Sequence, residues 1–138
     1  MSDKVFLDTN TLIYAYSVDE PLKKKAIEKV IESSHEIILS TQVVNEFINV
    51  MSKKRKVGLP ELAITVDELA DNFSVAQITL QTIKQALMIS QKYQYSYFDS
   101  LIISSALEHS CSVLYTEDMH NEQLIEGKLR IKNPFFKL

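Results

Sequence analysis

The feature that most restricts the fold of this chain is the alternation of short β-rich runs with longer helical stretches. Residues typical of strands concentrate in five runs: 5–7, 37–39, 74–78, 113–115 and, more weakly, 129–131. The spacing of apolar residues between them predicts five helices: 21–33, 42–54, 60–72, 80–93 and 97–108. Because crossover helices separate several strands, these strands should lie parallel in a sheet covered on both faces. The sequence therefore predicts an α/β fold.

Length and composition indicate a single domain. The chain has 138 residues, of which 46% are hydrophobic, and this is enough to bury one core. No internal repeat or Pro/Ser-rich linker divides the sequence, so we expect one domain over residues 1–138. Its two glycines, Gly58 and Gly127, are too far apart to form a glycine-rich phosphate loop, which excludes nucleotide-binding folds of that kind.

Charge and cysteine content narrow the function classes further. A net charge of −3 excludes a large basic surface that holds DNA by phosphate neutralisation alone, so any nucleic-acid contact must be local. One cysteine and three scattered histidines cannot form a closed zinc site or an internal disulfide, and a single thiol fits a reducing cytoplasm. The N-terminal stretch is unlike a signal peptide, and no run approaches the roughly 18 apolar residues of a membrane span. We therefore expect a soluble cytoplasmic protein without membrane contact.

Two acidic residues follow predicted strands. Asp8 comes directly after the run 5–7, at the start of a helix, and Asp118 comes shortly after the run 113–115. Ligands of open parallel sheets bind beyond the carboxyl ends of the strands, which makes both acids candidate site residues. Helix N-capping is the alternative interpretation, because aspartate is a favoured N-cap residue.

Two further acids lie near the inward side of predicted helices. At about 100° per residue, Asp99 falls inside the apolar arc of its helix, and Phe98 lies in the same arc. Asp99 should therefore face inward, although Ser96 and Asp99 also fit a capping box, which alone would explain an acid there. Glu46 lies on the flank of the apolar face of its own helix, where a glutamate at the edge of the surface is the alternative.

A parallel sheet should bring these four acids to one rim. They are Asp8, Glu46, Asp99 and Asp118. At a separation of about 5 Å and an effective dielectric constant of about 20, each carboxylate pair would repel by about 3 kcal/mol, so such a cluster needs a cation or protons. Oxygen ligands without histidine or thiolate select Mg²⁺ or Mn²⁺. Such ions activate a water for attack on a phosphodiester and stabilise the departing oxygen, so the pattern predicts phosphodiester hydrolysis.

The segments that carry the acids resemble a known family in content and order. They are VFLDTN (5–10), NEF (45–47), YFDSLI (97–102) and LYTED (114–118). This set resembles PIN-domain ribonucleases, and in size and layout the chain is most similar to VapC-type toxins of toxin–antitoxin pairs. The resemblance covers nearly the whole chain and extends to the segment 131–135. It implies a three-layer α/β/α sandwich with a mainly parallel central sheet, and metal-dependent endonucleolytic cleavage of RNA by water.

The resemblance also assigns roles to individual residues. The implied catalytic residues and Mg²⁺ or Mn²⁺ ligands are Asp8, Glu46, Asp99 and Asp118. Asn10 and Thr116 are implied as polar supports. The implied partners are an RNA substrate, a second copy of the chain in a homodimer, and a cognate antitoxin protein whose C-terminal segment covers the active groove. Glu117 departs from the family pattern, which often has a neutral or basic residue there, and its charge could tighten metal binding or weaken the approach of RNA.

Basic and aromatic residues offer further RNA contacts. A basic run follows the helix of Glu46 and could hold substrate phosphates, although cations at a helix C-terminus are favourable in any case. The run consists of Lys53, Lys54, Arg55 and Lys56. Tyr93, Tyr95 and Tyr97 could stack on unpaired bases, and simple packing is the alternative.

Two other functions are compatible with parts of the pattern. Phosphatases of the haloacid-dehalogenase type also begin with an aspartate after an apolar strand, but they usually have a second acid two residues later, where this chain has Asn10. A non-catalytic PIN-like module that binds RNA or protein would be expected to have lost one or more of the acids, and all four are present here.

Overall fold

Strands and helices alternate along the chain in the computed structural model, which describes residues 4–138. The strands are β1 (Lys4–Leu7), β2 (Glu36–Ser40), β3 (Ser74–Ala76), β4 (Val113–Tyr115), β5 (Leu124–Ile125) and β6 (Leu129–Lys132). The helices are α1 (Thr9–Ala15), α2 (Pro21–Ser33), α3 (Thr41–Lys53), α4 (Leu59–Asn72), α5 (Leu80–Tyr93) and α6 (Tyr97–Glu108). All five predicted helices are confirmed, each within one residue of its expected bounds.

The six strands form one sheet in the order β3-β2-β1-β4-β6-β5. Strand β1 lies inside the sheet, where Val5 is in register with Ile37 of β2 on one side and with Val113 of β4 on the other. All neighbouring strands are parallel except β5 and β6, which pair antiparallel. The predicted α/β class with a mainly parallel central sheet flanked by helices is confirmed. Strands β2 and β3 follow on one side of β1, and β4, β6 and β5 lie on its other side. The strand order therefore reverses at β1, which makes this position a topological switch point.

The core is formed by the strands together with apolar side chains of α1, α3, α4, α5 and α6. Phe6 of β1, Leu39 of β2 and Leu114 of β4 are fully buried. Helix α6 is buried from residue 100 to residue 106, and it packs along α5. This burial fixes the first turn of α6 next to the carboxyl ends of the strands. No helix within residues 4–138 is both long and apolar enough to cross a membrane.

Two strands differ from the sequence prediction. The run predicted over 74–78 pairs only as far as Ala76, because the chain then turns and the amide of Ile78 donates to the Thr41 hydroxyl at 3.3 Å. Strand β5 was not predicted. It has two residues, and its hairpin to β6 passes through Glu126 and Gly127 at φ angles of 52° and 67°, which glycine adopts easily.

Candidate active site

Asp8 lies at the carboxyl end of the inner strand β1, where it is 8% exposed. Its backbone amide donates to the Tyr115 carbonyl at 3.1 Å, so the pairing with β4 continues up to the acid. One carboxylate oxygen accepts from the Thr9 amide at 2.7 Å and caps helix α1. The other accepts from the Thr116 hydroxyl at 2.8 Å. The N-cap interpretation of Asp8 is therefore confirmed, and Thr116 fixes the oxygen that is not used by the cap.

Glu46 and Asp99 reach the same region from two helices. The Glu46 carboxylate on α3 accepts from the Thr9 hydroxyl at 2.5 Å. Asp99 is in the first turn of α6, where its amide donates to the Ser96 hydroxyl at 3.2 Å. Ser96 therefore caps the helix, as the capping alternative required, while the Asp99 carboxylate lines a cavity that Glu46 also lines.

Asp118 completes the group from the segment after β4. Its carboxylate accepts from the Asn10 side-chain amide at 2.8 Å, and its backbone amide donates to the Thr116 hydroxyl at 3.2 Å. No helix begins between Asp118 and residue 138, so the N-cap interpretation of this acid is wrong. Thr116 contacts both Asp8 and Asp118 and thereby sets the spacing between the two strand-end acids.

The four acids line one open cavity of about 300 Å³. The cavity walls are formed by Asp8, Thr9, Asn10, Gln42, Glu46, Asn49, Val50, Phe98, Asp99, Ile102 and Asp118. This lining contains no Lys, Arg or His among the residues that the structure describes. Negative charge is thus concentrated in the cavity without a basic side chain to balance it.

The electrostatic consequence is largest at Asp8. Burial and, to a smaller extent, the negative charges of Asp99 and Glu46 raise the pKa of Asp8 from its ordinary 3.8 to about 6, although the hydrogen bonds from Thr116 and Thr9 oppose this rise. Burial also raises the pKa of Asp99, and the negative charges of Asp118 and Glu46 act in the same direction. The carboxylates therefore destabilise one another's charged forms when nothing neutralises them.

The acids share the cavity without converging on one point. Within residues 4–138, no three His, Cys, Asp or Glu side chains lie close enough together to form a complete metal-binding group. Part of the coordination capacity of Asp8 and Glu46 is taken up by hydrogen bonds to Thr116 and Thr9. To bind one shared cation, the carboxylates would have to rotate toward it.

Glu117 does not line the acidic cavity. Its carboxylate accepts from the Tyr14 hydroxyl at 3.0 Å and forms an ion pair with Lys23 at 3.2 Å. The Lys23 ammonium also lies 4.5 Å from the centre of the Tyr14 ring, which packs edge-on against Phe135. This group neutralises the charge of Glu117 and ties the segment before Asp118 to α1 and α2.

Only part of the basic run approaches the acidic cavity. Lys54 and Arg55 line a second cavity, which shares Asn10 and Val50 with the first. Arg55 also lies 3.8 Å from the Asp19 carboxylate. The two other members of the run, Lys53 and Lys56, are exposed and line neither cavity.

Tyr93 and Tyr95, two of the three tyrosines considered for base stacking, bond to the β5 hairpin. The Tyr93 hydroxyl donates to Glu126 at 2.7 Å, and the Tyr95 hydroxyl donates to Gln123 at 2.5 Å. These bonds favour the packing interpretation over base stacking. Tyr97 packs edge-on against Phe98, with ring centres 5.3 Å apart.

Sequence reasoning missed several cavity residues, among them Thr9, which bonds to Glu46, and it misplaced Phe98. Gln42 and Asn49 line the cavity beside Glu46, and their spacing of four and three residues along α3 was an available signal. Phe98 was assigned to the apolar arc, but it is 63% exposed at the cavity. The assignment is wrong because the first turn of α6 precedes the buried stretch that begins at residue 100.

The fold and the cavity define an α/β protein with an acidic site at the switch point of a mainly parallel sheet. The PIN domain family matches residues 5–124, and the chain belongs to this family. The haloacid-dehalogenase alternative is therefore wrong. Asn10, at the position where that alternative needs a second acid, instead donates a hydrogen bond to Asp118.

Solved structures share this fold at low sequence identity. A chain of a toxin–antitoxin complex from Klebsiella pneumoniae has a TM-score of 0.71 at 19% identity, over 94% of this chain and 97% of that one. The sarcin–ricin-loop-cleaving toxin VapC20 of Mycobacterium tuberculosis gives 0.66 at 16% identity, over 83% and 91% of the two chains. A chain of DNA-bound VapBC from Salmonella typhimurium gives 0.64 at 20% identity, over 97% and 99%. No curated protein matches the sequence.

Proposed function

We propose that this protein is an endoribonuclease that requires Mg²⁺ or Mn²⁺ and acts as the toxin of a toxin–antitoxin pair. The observation that carries the proposal is the placement of all four predicted acids in one cavity that has no basic side chain in its described lining. Membership of the PIN family and the shared fold with toxins of toxin–antitoxin complexes support it.

The chemistry of the donor set fits a hard divalent cation. The candidate ligands, Asp8, Glu46, Asp99 and Asp118, all offer carboxylate oxygen. The pKa of Asp8 and of Asp99 is raised mainly by burial and also by neighbouring negative charge, and a bound cation would stabilise both carboxylates in their charged form. A bound ion of this kind supplies an activated water and stabilises the departing oxygen of a phosphodiester.

The other residues of the site hold the acids in place. Thr116 fixes one oxygen of Asp8, and Asn10 fixes Asp118, so the strand-end acids are oriented before any substrate arrives. Lys54 and Arg55 in the adjoining cavity provide positive charge for the phosphates of nucleotides beside the cut. Lys53 and Lys56 are exposed and would add charge at longer range.

The proposed partners follow from the same comparison. We infer a cytoplasmic protein that is held inactive by a cognate antitoxin, as the toxin–antitoxin complexes that share its fold suggest. We also infer a homodimer, for which α5 offers the exposed apolar side chains Leu80 and Leu87 on one face. Co-expression with the product of the neighbouring reading frame should suppress the nuclease activity.

The decisive experiment measures cleavage of single-stranded RNA by the purified chain. We expect cleavage with Mg²⁺ or Mn²⁺, none in EDTA, and none by Asp99→Asn, which should remain folded by circular dichroism. Asp67→Asn is the matched control, because Asp67 is an exposed acid of α4 outside the cavity. Cleavage by Asp99→Asn, or cleavage that persists in EDTA, would contradict the proposal. A folded chain that binds RNA but never cleaves it would indicate a non-catalytic PIN-like module.

A further inference from the structure

Phe98 is an exposed aromatic side chain at an acidic cavity. It directly precedes Asp99 in the first turn of α6 and is 63% exposed. Tyr97 packs edge-on against it at an interplanar angle of 65°, which restrains the orientation of the Phe98 ring. The apolar ring is therefore largely exposed next to the proposed cleavage site, with Tyr97 packed against one side of it.

The surroundings of Phe98 are polar. Apart from Phe98, Val50 and Ile102 are the only apolar residues in the described lining of this cavity. An apolar peptide helix would need a continuous hydrophobic groove, which this cavity does not offer. An unpaired nucleobase matches the site better, because it combines an aromatic face with a polar edge.

Polar groups suited to that edge lie on α3. The Gln42 side-chain nitrogen donates to the Phe98 carbonyl at 3.5 Å. The Gln42 side-chain oxygen is buried and has no hydrogen-bond partner within the described residues 4–138, so an acceptor remains unused there. Asn49 lies two helical turns further along the same side of α3, is exposed, and also lines the cavity. Both amides can donate and accept.

We propose that Phe98, Gln42 and Asn49 form a nucleobase subsite of the cleavage site. An unpaired base next to the cut phosphate stacks on Phe98, and Asn49 hydrogen-bonds its edge. Gln42 joins this contact when its side chain turns the buried, unpaired oxygen toward the cavity. This inference rests on the proposed ribonuclease function and adds to it a contact with one unpaired base beside the cut. Base stacking on an aromatic side chain predicts a loss of about 10- to 100-fold in kcat/KM for Phe98→Ala.

The first test uses a pool of single-stranded RNA with randomised sequence, digested in the presence of Mn²⁺, and sequencing of the new ends. We expect a base preference at one nucleotide beside the cut. Phe98→Ala should lower kcat/KM and weaken that base preference, whereas Phe98→Trp should retain the wild-type kcat/KM and preference. The double variant Gln42→Ala/Asn49→Ala should weaken the base preference. Phe136→Ala is the matched control, since Phe136 is an aromatic residue that is 65% exposed and lies outside the cavity.

A second measurement separates this proposal from the proposed function. In the Asp99→Asn background, a short oligouridylate with one central 2-aminopurine should lose fluorescence on binding, and Phe98→Ala should abolish that quenching. Wild-type kcat/KM and base preference in Phe98→Ala would overturn the subsite while leaving the nuclease intact, and would reassign Phe98 to a protein contact. Absence of cleavage by the wild type would refute the nuclease, whereas the quenching would still decide whether a base stacks on Phe98.

Discussion

Replacement of Asp8 by asparagine should stabilise the metal-free protein. The buried Asp8 carboxylate has a pKa of about 6 in the folded chain, against 3.8 when unperturbed. Asparagine can make both contacts with one bond reversed. Its amide oxygen accepts from the Thr9 amide, and its amide nitrogen donates to the Thr116 hydroxyl, which donates to Asp8 in the wild type. Asparagine is also as good an N-cap as aspartate. The substitution therefore removes a buried charge at little structural cost.

The size and pH dependence of the effect follow from proton linkage. A carboxyl group whose pKa is higher in the folded state holds its proton more tightly there, so the folded state loses relative stability as pH rises from 3.8 to about 6. At 1.36 kcal/mol for each pH unit, the penalty at Asp8 reaches about 3 kcal/mol above pH 6 and disappears below 3.8. Asp8→Asn should recover most of this free energy of unfolding at about pH 8 and almost none at about pH 4.

Urea unfolding in EDTA, followed by circular dichroism across this pH range, measures the effect directly. Asp67→Asn on α4 is the control and should show no comparable gain, since Asp67 is exposed. A variant of Asp8 that is less stable than the wild type at every pH, or a gain that does not change with pH, would refute the explanation based on a buried charge.

Three further predictions concern the same site and its support. Mn²⁺ should raise the melting temperature of the wild type, measured by scanning calorimetry, because the ion binds only the folded cavity. An equal rise in Asp99→Asn would contradict a cation site that includes Asp99. Glu117→Gln should weaken Mn²⁺ binding a few fold in titration calorimetry, because loss of the ion pair with Lys23 leaves Asp118 less ordered. Lys23→Met should weaken Mn²⁺ binding by the same factor, and the double variant should bind Mn²⁺ no more weakly than either single variant. Phe47→Ala should lower the free energy of unfolding in urea by about 3–5 kcal/mol, since Phe47 is fully buried; a loss below about 1 kcal/mol would show that the core collapses around the gap.

The acids were predictable because their positions follow from local rules. Asp8 and Asp118 follow strands, and parallel strands bring their carboxyl ends to one edge. Asp99 was placed by the periodicity of its helix, and the same periodicity misplaced Phe98. A helical projection treats every turn as if it touched the core, whereas the first turn of α6 lies beside the cavity instead.

The supports of the site could not be predicted in the same way. Glu117 is bonded to Lys23, 94 positions away in sequence, and no local pattern reports so distant a pairing. From the sequence alone, the charge of Glu117 could affect metal binding or RNA approach. In the structure, Glu117 instead forms an ion pair that links the segment after β4 to α2. The two-residue strand β5 is likewise too short to produce a periodic signal.

The position of β1 inside the sheet has a consequence for how the protein matures. Asp8 and Glu46 come from the first half of the chain, whereas Asp99 and Asp118 come from the second half, and helix α6, which carries Asp99, packs on both β2 and β4. A chain with only one half folded holds an incomplete acid set. The proposed hydrolysis therefore requires the complete native fold.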